Sequence, residues 1–232
     1  MRLSEGGAGT RRPRLEFDHV QIAVEDLDAA IDRFAREYGL LARVGGRHPG
    51  RGTGNAIVPL GDSYLELIAV LDDAEARPHP TSRRVGRAVG MNRTFAAWAA
   101  RTGDLGQTLT QLGDLGLQLP ERHGVEGRRR RTDGVELAWR SAELVSDGEF
   151  SPLPFLIEWR VPLDEFPGAL STAHPSGARG VLALRLSEPA PDQAMAQLRP
   201  ILHQDIEYSV QSGEPGIAEV VLDTPTGPLI LR

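Results

Sequence analysis

The 232-residue chain has no cysteine, and all 26 of its basic residues are arginine. Without thiols there can be no disulfide, no thiolate metal site and no cysteine nucleophile. Without lysine, Schiff-base and Ser-Lys chemistry are excluded as well. Thirty-two acids give a formal charge of -6, which argues against a nucleic-acid-binding face. No apolar run approaches the roughly 20 residues that a membrane span needs. The stretch from Met1 to Pro13 is basic and Gly-rich but lacks the apolar segment of a signal peptide. It is expected to be a disordered leader on a soluble, cytoplasmic protein. The sequence also lacks a Gly-x-Ser-x-Gly elbow, a Walker loop and a dinucleotide fingerprint.

What the chain does contain is an alternating segment, Phe17 to Val24, with Val20, Ile22 and Val24 on one side and His19, Gln21 and Ala23 on the other. A histidine thus stands in a strand whose opposite face packs on a helix. A second polar intruder, Glu66, interrupts the apolar run Ser63 to Val70 and shares its face with Tyr64 and Ile68. A carboxylate in such a place needs a partner, because burial without one costs several kcal/mol, on the order of the penalty for an isolated charge. His19 and a metal ion are the candidates.

The intervening residues supply the rest of a unit. Asp26 caps a helix carrying the stripe Leu27, Ile31, Phe34 and Tyr38, and Gly39 ends it. Two extended pieces follow, about Leu40 to Val44 and Asn55 to Leu60, separated by a Gly-rich loop from Gly45 to Gly54. Gly61-Asp62 then turns into the Glu66 strand, completing the order βαβββ.

The same order recurs 78 residues later, where Asp104-Leu105 matches Asp26-Leu27. It comprises a strand from Phe95 to Thr102, a helix bearing Leu105, Leu109 and Leu112, and strands near Leu117 to Leu119, Gly134 to Ser141 and Leu153 to Val161. In the last of these Glu158 again interrupts apolar residues. Internal repetition of this kind reports architecture directly. A fainter third copy runs from Gly180 to Leu231, within a module of about 175–232. Residues 71–93, 141–154 and 164–179 read as linkers. A third βαβββ unit leaves one apolar face unpaired, so it is expected either to pack onto the back or edge of the first barrel or to pair with its copy in a homodimer, the latter being favoured.

The Asp18-His19-Val20 strand, the Asp26-Leu27-Asp28 helix start, the loop from Gly45 to Gly50 and Tyr64-Leu65-Glu66-Leu67 together resemble the glyoxalase-like members of the vicinal oxygen chelate superfamily. The resemblance implies an α+β fold in which modules of about 17–70 and 95–161 form an open, cup-shaped barrel within a domain of 14–161. It places metal ligands on the first and fourth strands of each module, which here gives His19, Glu66, Ala97 and Glu158. Alanine cannot ligate, so a divalent ion (Mn, Fe, Ni, Zn or Mg) would be held by His19, Glu66 and Glu158, with Glu66 and Glu158 also catalytic. His48 and Asn55 are candidates to face a small-molecule substrate, as is Tyr64. The implied function is a metal-dependent lyase, isomerase or dioxygenase acting on a small oxygenated substrate. The alternative is a metal-free small-molecule or drug-binding cup.

Competing structural roles are equally explicit. Glu158 has Arg140 and Arg160 as alternative partners. Trp98 and Trp159 are expected to pack in the core, and Arg128 to Arg131 to form a solvated hairpin loop or to lie at the rim. His79, His123, His174 and His203 are assigned no role.

Overall fold

The computed structural model describes residues 12–232 apart from 121–123, 146–147, 171 and 203–205. Most of the expected leader, together with His123 and His203, lies outside the described residues.

The first module consists of β1 (Glu16–Ala23), α1 (Leu27–Tyr38), β2 (Arg43–His48), β3 (Thr53–Pro59) and β4 (Tyr64–Val70). The Asp26 carboxylate accepts from Ala29 N at the start of α1, and Gly39 closes the helix in the left-handed conformation (φ 60°). After α2 (Asp73–Ala76) and α3 (Pro80–Gly90) the second module repeats the order as β5 (Phe95–Arg101), α4 (Leu105–Asp114), β6 (Val125–Arg130), β7 (Glu136–Glu143) and β8 (Phe155–Trp159). These eight strands form one sheet in the order β2-β3-β4-β1-β5-β8-β7-β6. In both modules the first and fourth strands pair in parallel, and β1 meets β5 antiparallel. The expected βαβββ order is therefore present twice, in a sheet rolled into a nearly closed barrel.

Closure depends on the glycines of β2. They belong to the strand and not to a loop, and the hairpin itself is only Pro49 to Gly52. A Cβ on Gly46 (φ +131°) would lie 2.5 Å from the Arg130 carbonyl oxygen of β6, so a side chain there would hold the edge strands apart. Across the same seam Arg129 Nη1 donates to Gly45 O at 2.6 Å.

Three other expectations are corrected. Residues 71–93 contain α3, whose Val85 and Ala88 pack on Ile68 and Ala96. Its glycines and arginines resemble linker composition and mask the apolar stripe. Leu117 to Leu119 is not a strand. The third strand of the second module is instead the arginine run itself, in which alternation buries Arg129 and exposes Arg128 and Arg130.

The C-terminal unit contains β9 (Gly180–Ser187), α5 (Pro191–Leu198), β10 (Glu207–Gln211), β11 (Gly216–Asp223) and β12 (Leu229–Leu231). It keeps the βαβββ order but not the pairing, because its sheet runs β10-β9-β11-β12 with β10 parallel to β9. Leu184, Leu186, Val220 and Leu222 join one core with Val20, Ile22, Trp98, Phe34 and Leu105. Of the two expected covers for this face, the chain's own barrel supplies it. Among the described residues, no helix is long and apolar enough to cross a membrane.

Candidate active site

The cup interior is lined on one wall by polar residues of the first module: His19, Gln21, His48, Arg51, Thr53, Asn55, Tyr64 and Glu66. Alternation along β1, β3 and β4 turns these residues inward while Val20, Ile22, Leu65 and Leu67 go to the helix side. β1 departs from regular pairing at Asp18, since Phe17 faces Ala100 and His19 faces Ala99. The extra residue lets both Asp18 and His19 reach the interior. Asp18 Oδ1 lies 2.5 Å from His19 Nδ1, and Trp159 Nε1 donates to Asp18 Oδ2 at 2.9 Å.

On its other nitrogen, His19 faces Glu66, with Nε2 3.5 Å from Oε2. Glu66, 5% exposed, is held by two carboxamides: Gln21 Nε2 donates to Oε2 at 2.9 Å and Asn55 Nδ2 to Oε1 at 2.6 Å. His48 Nε2 is 3.9 Å from Oε1, while its Nδ1 bonds Thr53 Oγ1 at 2.8 Å. Tyr64 stacks on the His19 ring at a centroid distance of 4.5 Å.

This arrangement separates the two histidines electrostatically. Burial alone would lower the His19 pKa, but hydrogen bonds to Asp18 and Glu66 outweigh it and raise the value to about 9. For His48, burial dominates over the attraction of Glu66 and brings it down to about 4. Glu66 falls to about 2, because His19, His48 and Asn55 overcome the effect of its burial. Burial, reinforced by Asp18 and Glu66, raises Tyr64 well above its ordinary value. At neutral pH the floor therefore carries an imidazolium between two carboxylates beside a neutral imidazole.

The opposite wall is apolar. Trp139, Phe155, Ile157 and Trp159 line it, with Leu137, Ala97 and Ala99 packed among them. Arg51 and Arg129 enter from the β2–β3 hairpin and the seam, and Thr81 and Ser82 of α3 stand at the rim.

Of the residues expected from sequence, His19, Glu66, Tyr64, His48 and Asn55 converge in this cavity. Glu158 does not. Its Oε2 accepts from Leu105 N at the start of α4 (2.8 Å), and its carboxylate lies near Arg140 (4.0 Å) and Arg160 (3.7 Å), the alternative partners noted above. The counterpart of Glu66 is instead Phe155: Gln21 pairs with Glu66, and Ala99, 78 residues after Gln21, pairs with Phe155. The three-ligand set expected for a divalent metal is therefore not assembled. The second module offers alanines and Phe155 where ligands would stand, and among the described residues no group of three or more His, Asp or Glu could hold an ion.

Sequence reasoning missed Arg51, Trp139 and Trp159 as lining residues, and gave Arg129 only as part of a run in a hairpin loop or at the rim. β8 is buried on both faces along Phe155-Leu156-Ile157, so its alternation carried no signal. The alternating exposure of β6 was legible only once the arginine run was taken as a strand. Trp98 is a core residue as expected, with Nε1 donating to Pro152 O at 2.8 Å. His174, given no role, ties the linker to the first module by accepting from Leu41 N and bonding Pro59 O.

Comparison with solved structures gives a protein from Staphylococcus aureus described as hypothetical, at 16% identity over 88% of both chains and a TM-score of 0.68. This likeness extends through most of the chain and concerns the fold. Methylmalonyl-CoA epimerase from Mycobacterium tuberculosis matches at 21% identity over 63% of this chain and 88% of its own, with a TM-score of 0.41. A methylmalonyl-CoA epimerase in complex with methylmalonyl-CoA and NH4+ matches at 21% over 62% and 94%, with a TM-score of 0.44. No curated protein sequence matches the chain. A family model described as a glyoxalase-like domain matches residues 17–202, most of the chain and both barrel modules, and the chain accordingly belongs to the glyoxalase-like domain family.

Proposed function

We propose that the cup is the active site of an enzyme that binds a small anionic, oxygenated molecule and moves a proton on it, using His19 as electrophile and Glu66 as base. The observation that carries this reading is the buried chain from Asp18 through His19 to Glu66 at the cup floor. At 3.5 Å the His19 Nε2 to Glu66 contact is long for a hydrogen bond, so a substrate oxygen entering there competes well for the imidazolium proton. Such a preorganised donor stabilises negative charge as it develops on that oxygen. Drawing the His19 proton towards the substrate also loosens the hold that keeps Glu66 a weak base, which suits removal of a proton from the adjacent carbon.

Charge and size support the same class of ligand. Arg51 and Arg129 bring two guanidinium groups to the cavity beside the raised-pKa His19, which suits an anionic ligand. The cavity leaves about 50 Å³ for the centres of water-sized atoms, room for a small polar head group. The aromatic wall gives the apolar remainder of the substrate a surface to lie on.

The test is deuterium uptake at carbon 2 of a panel of three- to five-carbon substituted carboxylates incubated with the enzyme in D2O, alongside quenching of Trp139 and Trp159 fluorescence. Uptake by at least one acid is expected, abolished in Glu66→Gln and slowed at least about 100-fold in His19→Gln. Absence of both uptake and quenching across the panel overturns the proposal.

A further inference from the structure

One polar atom of the cup has no partner that the site itself explains. Gln21 is 5% exposed and lines the cavity, yet its Oε1 is buried without a hydrogen bond. The orientation of the carboxamide is not free. Nε2 donates to Glu66 Oε2 at 2.9 Å, and turning the group over would set Oε1 against an ionised carboxylate that can only accept. The carbonyl is therefore pinned as an acceptor. Its strand neighbours offer no replacement donor, because Gln21 pairs with Glu66 on one side and with Ala97 on the other.

Asn55 makes the contrast. It also donates to Glu66, and its Oδ1 is likewise without a partner. That oxygen, however, is pressed on the β2 backbone: a Cβ on Gly45 would lie 2.1 Å from it. No ligand atom has room there. Gln21 has only the methyl group of Ala97 beside it on β5, and its side chain lines the open cavity together with Phe155 and Ile157. A buried acceptor held in this way takes a water or a ligand hydrogen, and a ligand unable to supply one is penalised.

The geometry points to Gln21 as the residue that selects ligands carrying a hydrogen-bond donor, a hydroxyl or amino group, beside the oxygen held by His19. This rests on the anion-binding reading above and narrows it to 2-hydroxy or 2-amino carboxylates over their unsubstituted counterparts. Gln21 acts in recognition; the proton chemistry stays with His19 and Glu66.

Calorimetric titration of the full-length protein with matched pairs, lactate against propionate and 2-hydroxybutyrate against butyrate, tests it. The hydroxy acid of each pair should bind about tenfold or more tightly. In Gln21→Leu and in the closer-sized Gln21→Met, each checked for folding by circular dichroism, that ratio should fall to about one. Both variants also remove a donor to Glu66, which is why the ratio within each protein and not the absolute affinity is read. Equal affinities within the pairs, or a preference that survives both substitutions, overturn the role of Gln21. If either occurs while binding still depends on His19, the anion reading stands. If no acid binds, both fall together.

Discussion

Trp159 Nε1 donates to Asp18 Oδ2 across 2.9 Å, so the aromatic wall built by the second module holds the carboxylate that orients His19 in the first. Arg101 Nη1 approaches the same oxygen at 3.5 Å, and Asp18 is fully buried. The polar and apolar walls are thus one mechanical unit. A ligand lying on the Trp159 ring touches a side chain that is one hydrogen bond from the His19 partner.

The first prediction follows from this chain. Asp18→Asn keeps the size of the side chain and removes its charge, and with it a main interaction that raises His19 to about 9. The His19 pKa, read from the imidazole resonances by NMR titration, should fall. An unchanged value would mean that Glu66 alone accounts for the raised pKa.

The second prediction is the pH dependence of stability. His19 has a folded pKa of about 9 against an ordinary 6.5, so its contribution is complete below about 6.5 and is lost as pH rises through 9. His48 is shifted the other way, to about 4, so its contribution is present above about 6.5 and lost as pH falls through 4. Glu66 adds a further loss between about 4.5 and 2. Urea unfolding should give maximal stability near pH 6.5, falling on both sides. His19→Gln should flatten the alkaline limb, and His48→Gln should reduce the acid one.

How much of this was legible in the sequence depended on whether a strand has one buried face or two. β1 and β4 announced themselves through His19 and Glu66, since a charged group among alternating apolar residues marks the inward side. The second module gave its order through the 78-residue repeat and the Asp104 cap. β8 was opaque, because Phe155, Leu156 and Ile157 are all buried. Glu158 appeared to match Glu66 by composition, whereas register gives that place to Phe155. Gly45 and Gly46 looked like loop residues; the close approach of β3 and β6 that requires them is a property of the closed barrel and is not visible locally. The C-terminal sheet could be narrowed to two places, the back of the barrel or a second subunit, but the choice between them depends on tertiary packing with Val20, Ile22 and Trp98.

The third prediction separates the two glutamates. Glu158→Gln removes a charge from the start of α4, where its carboxylate accepts from Leu105 N. It should cost about 0.5–1 kcal/mol of stability and leave ligand binding unchanged. Glu66→Gln should disrupt the site, because His19 loses a charged partner and the two carboxamides lose theirs. Elemental analysis of protein purified without chelators should find well under one divalent ion per chain, and EDTA should not shift the melting temperature. Stoichiometric metal lost in Glu158→Gln would reinstate the three-ligand set and overturn the placement of that residue.

The fourth prediction concerns the C-terminal unit. Leu184, Leu186, Val220 and Leu222 are fully buried, and they belong to the core shared with Val20, Ile22 and Trp98 on the outer face of β1 and β5. Tyr208 packs on Trp98 at a ring distance of 5.6 Å. Burial of a large aliphatic side chain is worth about 1.5–3 kcal/mol, so these four together approach the roughly 5–15 kcal/mol by which a whole domain is stable. Deleting residues 175–232 removes them and bares the back of the barrel as a continuous apolar patch. The product should be insoluble, even though every residue lining the cup is retained. The same packing covers the apolar face of the C-terminal sheet within the chain, so the full-length chain should sediment as a monomer. A soluble truncation that still binds ligand would show that the barrel stands without its C-terminal sheet, and would overturn the single shared core as the basis of its stability.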